Sequence, residues 1–431
     1  MAPDKHVVVI GNGIAGVTTA IELRKRDAQC RITIISGESD TFFSRPALMY
    51  LYMGHMKLAH TQPFAPGFWA QQRIERKQAW VTHIDVGHKS LSFAKGAPLS
   101  YDQLVVATGS TPNKFGWPGQ DLQRVQGLYT LQDVASLEAH SDAIHTAVIV
   151  GGGLIGIELA EMLHSRGKRV IILARESHYW SNALPLEESQ MVERMIAQSG
   201  IELRCGEELD AIIDDGQGRA CALITKKGER IDCQFVGLTA GVRPNLSALA
   251  GSGIETGRGV LVDRSFRTTV PDVFACGDCA EIVTPEGERN VLEQLWYTGK
   301  MHGAVLAQVL CGETVTYDRG IWFNSAKFIE LEWHTYGHVP GAQRPDERLK
   351  HLYWESPQRD RCFRLVLDAS GAVVGVNAMG IRYRHQVCEQ WIAQKRSATW
   401  VIDHLRAANF DPEFYRQHEA AIAKSFREQL R

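Results

Sequence analysis

Two glycine turns, each caught between a buried strand and a helix, constrain this 431-residue chain more than any other feature. Val7-Val8-Val9-Ile10 reads as a buried strand, and Gly11-Asn12-Gly13-Ile14-Ala15-Gly16 follows without a spacer. Val17 to Arg26 then carries apolar residues at helical spacing, and Arg31-Ile32-Thr33-Ile34-Ile35 reads as the next strand. The unit recurs further on. Ala147-Val148-Ile149-Val150 runs into Gly151-Gly152-Gly153-Leu154-Ile155-Gly156, a helix is expected to about Arg166, and Val170-Ile171-Ile172-Leu173 is its second strand. A chain that repeats this unit is held to an α/β fold built on parallel sheets.

The chemistry of such a turn is specific. A pyrophosphate needs close backbone approach and several N–H donors, and a glycine turn opening a helix supplies both, aided by the helix dipole. An acid that holds a ribose should follow by about 20 residues. After Gly16 that acid is Glu38, just past the second strand. After Gly156 the corresponding position is Ala174, followed by Arg175. A small residue followed by Arg accepts a 2′-phosphate that an acid would repel, so NADPH is favoured over NADH. The competing reading makes Arg175 an ordinary solvated side chain. Two such turns imply two dinucleotides, a tightly held flavin and an exchangeable nicotinamide.

Composition removes other classes. Lys+Arg 47 against Asp+Glu 49 leaves no basic excess for nucleic acid. No run of about 18 apolar residues is present, so no spanning helix is expected, and Met1 to Gly11 carries no signal-peptide pattern. Nine cysteines, an odd number and mostly far apart, argue against a disulfide scaffold and for a reducing cytoplasm. Cys276-Gly277-Asp278-Cys279 has the spacing of a redox pair, but that loop is better read as one that serves a cofactor. His334 and His338 have i, i+4 spacing, yet Gly337 and strand-like neighbours argue against a metal site, and none is expected. Gly167-Lys168 lacks the rest of a phosphate loop.

Elsewhere the pattern is plainer. Residues 41–75 read as irregular and 78–106 as short strands. Met191, Val192, Met195 and Ile196 give a helix an apolar face that Gly200 stops, and 201–238 reads as strands with turns at Asp215-Gly216 and Lys227-Gly228. After 325, segments such as Lys327–Leu331 and Phe363–Leu367 alternate like antiparallel strands, and 386–431 reads as helical.

Four more segments, with the two turns, carry a resemblance. They are Ala107-Thr108-Gly109-Ser110-Thr111-Pro112, Gly156-Ile157-Glu158-Leu159-Ala160, Thr239-Ala240-Gly241-Val242-Arg243-Pro244-Asn245 and Val273-Phe274-Ala275-Cys276-Gly277-Asp278. Over about residues 5–325 the chain resembles the two-dinucleotide-binding flavoproteins, the pyridine nucleotide–disulfide oxidoreductases. Ser44-Arg45-Pro46-Ala47-Leu48 and Glu293-Gln294-Leu295-Trp296-Tyr297 are similar to motifs of the ferredoxin/rubredoxin reductase-like branch. Tyr50 stands where that branch often has a lysine near flavin N5. The Cys-x4-Cys pair of glutathione reductase-like relatives is missing, since no cysteine lies between 31 and 204, and Arg45 stands where related oxidases carry their single cysteine.

The resemblance implies two Rossmann-like dinucleotide-binding domains of three-layer ββα type and an α+β C-terminal interface domain. The FAD-binding domain would span 1–125 and 246–325, the NAD(P)-binding domain 126–245, and the interface domain with its helical tail 326–431. FAD would contact Gly11, Gly13, Ile14, Ala15, Gly16, Glu38, Arg45, Pro46, Ala107, Thr108, Gly109, Gly277, Asp278, Gln294 and Leu295. NAD(P)H would contact Gly151, Gly153, Leu154, Ile155, Gly156, Glu158, Arg175 and Gly241.

Arg45, Glu158 and Trp296 are the candidate catalytic residues. Glu158 would seat the nicotinamide, and Leu295 and Trp296 would lie by the flavin pyrimidine. Arg45 would either offset charge on reduced flavin or bind FAD phosphates. The implied activity is electron transfer from NAD(P)H through FAD to a small ferredoxin- or rubredoxin-type protein, without a cysteine relay. The alternatives are a quinone reductase or oxidase touching a membrane surface, and a non-enzymatic redox-sensing protein. Arg382, Arg384, His385, Lys395 and Arg396, interspersed with Trp391 and Trp400, either dock an acidic carrier or form a solvated helical face. A homodimer is the family expectation.

Overall fold

The computed structural model describes residues 5–285 and 288–431. They group into two compact units. One holds the chain up to Asn113, Gly127–Ala139 and Gly241–Arg319; the other holds Lys114–Gln126, His140–Ala240 and Gly320–Arg431.

In the first unit a five-stranded parallel sheet runs in the order Val273–Ala275, Gln103–Val106, His6–Ile10, Arg31–Ser36, Ile74–Gln78. His6–Ile10 lies at its centre and is buried throughout, which is why it reads as a continuous apolar run. The helix Ile14–Arg26 leaves the first glycine turn and packs against Trp296–Leu310. That crossing depends on Gly303, where a Cβ would stand 2.5 Å from the Ala15 carbonyl oxygen. The segment 41–75 is more ordered than expected. It holds short helices Leu48–Tyr52 and Phe68–Gln71 and two 3-10 turns, too brief to show helical periodicity. Its aromatic side chains hold it, with Phe64 stacked on Phe68 at 4.5 Å.

The second unit repeats the design and adds to it. Its parallel sheet runs Glu202–Cys205, Arg169–Ala174, Thr146–Val150, Phe235–Leu238, Val125–Gln126. The helices Leu154–Ser165 and Leu186–Gln198 follow the strands Thr146–Val150 and Arg169–Ala174 in sequence, and the expected meander is the three-stranded sheet at 209–232. After residue 322 comes an antiparallel sheet in the order Phe323–Phe328, Leu331–Gly337, Val373–Met379, Cys362–Leu367, Lys350–Glu355. His334 lies inside one of its strands, so the His334/His338 spacing is not helical. The tail folds as three helices, His385–Ala393, Ala398–Asp403 and Glu419–Leu430, where one helical region was expected. Trp391 is buried rather than displayed, whereas Trp400 is half-exposed and stacked on His404 at 3.9 Å.

The grouping departs from the sequence-based partition. Residues 127–139 belong with the first unit, where the Leu131 amide donates to Glu38 and Arg45 donates to the Tyr129 carbonyl. The C-terminal sheet groups with the second glycine unit. A buried ion cluster is one cause. Arg364, on a central strand of the C-terminal sheet, donates to Glu188 at 2.7 Å and to Glu187 at 2.7 Å, and both acids lie at the start of Leu186–Gln198. Asn377 also donates to Glu188, at 3.2 Å. The side chains of Arg364 and Glu188 are 4 % and 0 % exposed. Charges so deeply sited are tolerable only while paired. Arg364→Ala should therefore cost about 3–5 kcal/mol of stability by leaving Glu188 buried without its cation. Chemical denaturation of both proteins at pH 7 checks this.

Candidate functional site

The first glycine turn is built by contact. Gly11 has φ +114°, and a Cβ there would stand 2.0 Å from the Ala107 carbonyl oxygen; one on Gly16 would stand 2.2 Å from the Gly11 oxygen. Gly13, by contrast, meets nothing within 4 Å. It caps Ile14–Arg26 without any side-chain acceptor, and no acidic residue stands in the first turn. The leading amides of Ile14, Ala15 and Gly16 thus stand at a positive helix end without a side-chain cap, which fits a diphosphate. The second turn has the same construction. A Cβ on Gly151, at φ +122°, would lie 2.5 Å from the Thr239 oxygen, and one on Gly156 would lie 2.1 Å from the Gly151 oxygen. Gly153 again caps its helix without a side-chain acceptor. Leu154 and Ile155 open that helix.

Around the first turn the structure brings most of the predicted FAD residues together. The Ala107 amide donates to the Ile10 carbonyl at 2.8 Å, and the Thr108 hydroxyl donates to the Asn245 carbonyl at 2.7 Å. Gly109, at φ +69°, has room only for hydrogen, because a Cβ would reach within 2.9 Å of the Tyr129 hydroxyl. That hydroxyl accepts from the Ser110 amide at 2.8 Å, and burial raises the Tyr129 phenol to about 12.

Ser110 in turn donates to Asp278 at 3.0 Å and accepts from Gln294 at 2.9 Å. Burial pushes the Asp278 carboxyl above the usual range, against the Ser110 bond and nearby Arg45. Asp278 nevertheless keeps a partly open face. A deeply sited acid that keeps a partly open face is what a ribityl hydroxyl chain would engage. Leu295 caps Trp296–Leu310 without a side-chain partner, and both Leu295 and Trp296 are half-buried. The Trp296 ring is flanked by Tyr297 at 5.6 Å and Lys300 at 5.6 Å. Gly241 falls in this unit, with its carbonyl accepting from the Asn113 amide at 3.1 Å.

Arg45 and Glu38, read separately from the sequence, meet in the structure. They form a two-point ion pair, at 3.2 Å and 2.7 Å, and Glu38 also accepts from the Leu131 amide at 2.9 Å. Arg45 lies in the turn Arg45–Ala47, which Pro46 helps to close, and rests on the Tyr129 ring at 4.6 Å. Its positive charge is therefore already balanced, and Glu38 enters a ribose contact with part of its carboxylate in use.

Sequence reasoning missed His302. It is wholly buried, and the Gly277 amide donates to its Nδ1 at 3.2 Å. Nδ1 must then be the acceptor nitrogen, so Nε2 carries the proton and donates to Glu293 at 3.3 Å. Tyr317 donates to the same carboxylate at 2.6 Å, and Arg319 at 3.0 Å. Burial raises the Glu293 carboxyl, but the bonds from His302 and Tyr317 outweigh it and hold it below the usual range. This network fastens the Gly277 loop from behind. A buried histidine within a helix carries no sequence signal that separates it from core packing.

The two cysteines of that loop are free and fully buried, and burial raises the Cys276 thiol to about 12. A thiol so far from ionisation is a poor nucleophile.

In the second unit Glu158 lies one turn into its helix, deep but partly open. Burial and nearby Glu161 raise its carboxyl to about 7, with Lys327 opposing. Ala174 ends its strand and is buried, whereas the Arg175 side chain is 74 % exposed and pairs with Glu176 at 3.1 Å.

A model of the pyridine nucleotide-disulphide oxidoreductase family matches residues 5–303. The ferredoxin–NAD(+) reductase component of the p-cumate 2,3-dioxygenase system of Pseudomonas putida is 28 % identical over 405 residues, covering 94 % of this chain and 96 % of the relative. The structure of the covalent putidaredoxin reductase–putidaredoxin complex superposes with a TM-score of 0.79 at 21 % identity, over 98 % of this chain and 99 % of the other. An engineered water-forming NADPH oxidase bound to NADPH gives 0.82 at 19 % identity, over 99 % of each chain.

The raised Glu158 carboxyl has a consequence for stability. Ionising it is penalised in the folded protein, so stability is full below about pH 4.5 and falls as pH rises towards 7. Glu158→Gln should stabilise the protein relative to the native chain by about 1 kcal/mol at pH 8, after allowance for its open face, and by nothing at pH 4.5. Melting temperatures across that range check the sign.

Proposed function

Because this chain belongs to the pyridine nucleotide-disulphide oxidoreductase family, we propose that it passes electrons from NADPH through FAD to a small protein carrier of ferredoxin or rubredoxin type. It is an NAD(P)H-dependent oxidoreductase. What supports the finer reading is one pairing of observations. Both glycine turns open uncapped helices, and the cysteine pair closest in sequence, Cys276 and Cys279, is sealed in the core. A thiol step thus has no reactive sulfur in that loop, and with no cysteine between 31 and 204 this supports a route in which electrons leave from the flavin itself.

When bound, the two coenzymes supply hydride transfer and onward electron release. The chain's residues hold and orient them. Gly11, Gly13, Ile14, Ala15 and Gly16 take the FAD diphosphate, with Ala107, Thr108, Gly109 and Gly277 closing the loops around it. Asp278, kept in place by Ser110 and Gln294, takes the ribityl chain. Leu295 and Trp296 present the N-terminus of their helix to the flavin pyrimidine. Arg45 and Glu38 act as one unit, so positioning of FAD suits Arg45 better than charge compensation. Gly151, Gly153, Leu154, Ile155 and Gly156 take the second diphosphate, and Glu158 seats the nicotinamide with a carboxyl that changes charge near neutrality. The domain boundaries proposed are 1–125 with 246–325 for FAD, 126–245 for the nicotinamide coenzyme, of which 127–139 and 241–245 pack in the unit of the first glycine turn, and 326–431 for a homodimer interface.

NADPH is favoured because Ala174 leaves no carboxylate at the ribose position and Arg175 can turn from Glu176 to a 2′-phosphate. The engineered NADPH oxidase carries, at two adjacent positions, Asp-to-Ala and Ala-to-Arg changes, the same pair of residue types. Arg175→Ala should lower kcat/KM for NADPH roughly ten-fold, the cost of one charge-assisted contact, and leave NADH nearly unchanged. Equal loss with both coenzymes overturns the preference.

The acceptor is tested by reducing the yellow protein anaerobically and following its reoxidation by stopped flow. Ferredoxin- or rubredoxin-type proteins should reoxidise it faster than menaquinone or oxygen. One observation favours the quinone reading, namely the exposed Phe410 and Phe414 beside Tyr415, a patch suited to a lipid surface. Fast menaquinone reduction together with vesicle binding would establish that reading in place of the first.

A further inference from the structure

Trp180 stands out within the second unit because its backbone is strained and its ring is aimed at a glycine turn. Its φ is +50°, a left-handed conformation that a bulky residue rarely adopts and that persists only where the surroundings impose it. The surroundings are identifiable. The ring meets Trp333 edge-on at 5.4 Å and Phe328 at 5.9 Å. The Trp180 carbonyl accepts from the Ala183 amide at 2.9 Å and the Leu184 amide at 3.0 Å, which closes the turn beneath it. Next to it, Tyr179 is buried and donates its hydroxyl to the Gly153 carbonyl at 3.1 Å.

These contacts bring the indole to the second glycine turn. Trp180 Nε1 lies 3.9 Å from the point where a Cβ on Gly153 would stand, and nothing else comes within 4 Å of that point. Gly153 is the uncapped start of Leu154–Ser165, so the indole N–H stands at the space where the helix end already favours an anion. Trp333, by comparison, spends its own N–H on Asn377 at 2.6 Å.

We propose that Trp180 binds the nicotinamide coenzyme by donating its indole N–H to the diphosphate above Gly153, with Phe328 and Trp333 holding the ring in that pose. The inference rests on the assignment of this turn to the coenzyme. An N–H to a charged oxygen is a directional contact that an aliphatic residue cannot replace. A side chain that touches only the diphosphate binds ground state and transition state alike, so its loss should raise KM and spare kcat.

The experiment compares three FAD-loaded proteins, the native chain, Trp180→Phe and Trp333→Phe, by equilibrium titration with NADP+ and by steady-state kinetics with NADPH and ferricyanide. Trp180→Phe keeps the aromatic cluster and removes the donor. It should weaken NADP+ binding roughly ten-fold, raise KM to match and leave kcat within about two-fold, while Trp333→Phe binds as the native chain does. Unchanged binding in Trp180→Phe, or equal weakening in both variants, overturns the proposal, since either result leaves only packing. A native protein that takes up FAD yet binds neither NADP+ nor NAD+ would instead overturn the coenzyme assignment on which it rests.

Discussion

Both sheets of nucleotide-binding type depend on how closely the backbone must pass itself at Gly11 and Gly151. At each, the strand ends, the chain turns with a positive φ, and a carbonyl from a neighbouring strand's exit sits where a side chain would begin. No other residue type fits there. The closeness has a purpose beyond compactness. It brings the helix start against the end of the sheet and leaves the amides of the first turn without a side-chain cap. The same economy recurs at Gly303, where a missing Cβ lets two helices of the first unit touch.

Charge is managed differently in the two units. In the first, acids are tied down. Glu38 is held by Arg45 and Leu131, and Glu293 by His302, Tyr317 and Arg319. Each network fastens a loop of the proposed FAD cradle, and so the polar groups act through geometry more than through free charge. In the second, Glu187 and Glu188 are among the tied acids, and through Arg364 they join the helix Leu186–Gln198 to the C-terminal sheet. Glu158 is managed by burial instead. It lies deep, partly open, and poised near neutral pH by burial. A carboxyl in that state belongs where a ligand completes its surroundings.

Much of this was legible from residue order. The two glycine turns stand where Val7–Ile10 and Ala147–Val150 placed them, because a strand, a turn and a helix are local and their periods survive in a short window. The loop at Gly277-Asp278 was legible as a motif, and so was the inert character of its cysteines. Other features were not. The short helices of 41–75 have too few residues to display a period. The Glu38–Arg45 pair joins two motifs that were read separately. His302 looks like any helix residue until the fold sets it behind Gly277. Residues 127–139 switch units because of hydrogen bonds to Glu38 and Arg45, a fact no linear boundary contains.

Residue order by itself determined the class of fold, the two dinucleotide turns and the missing thiol pair, since each depends on neighbours a few positions apart. Tertiary structure decided which acids are spent and which remain titratable. It also decided which units the later segments join and why Trp180 holds a conformation its type avoids. These properties depend on burial and on partners far away in sequence, and burial exists only once the chain has folded.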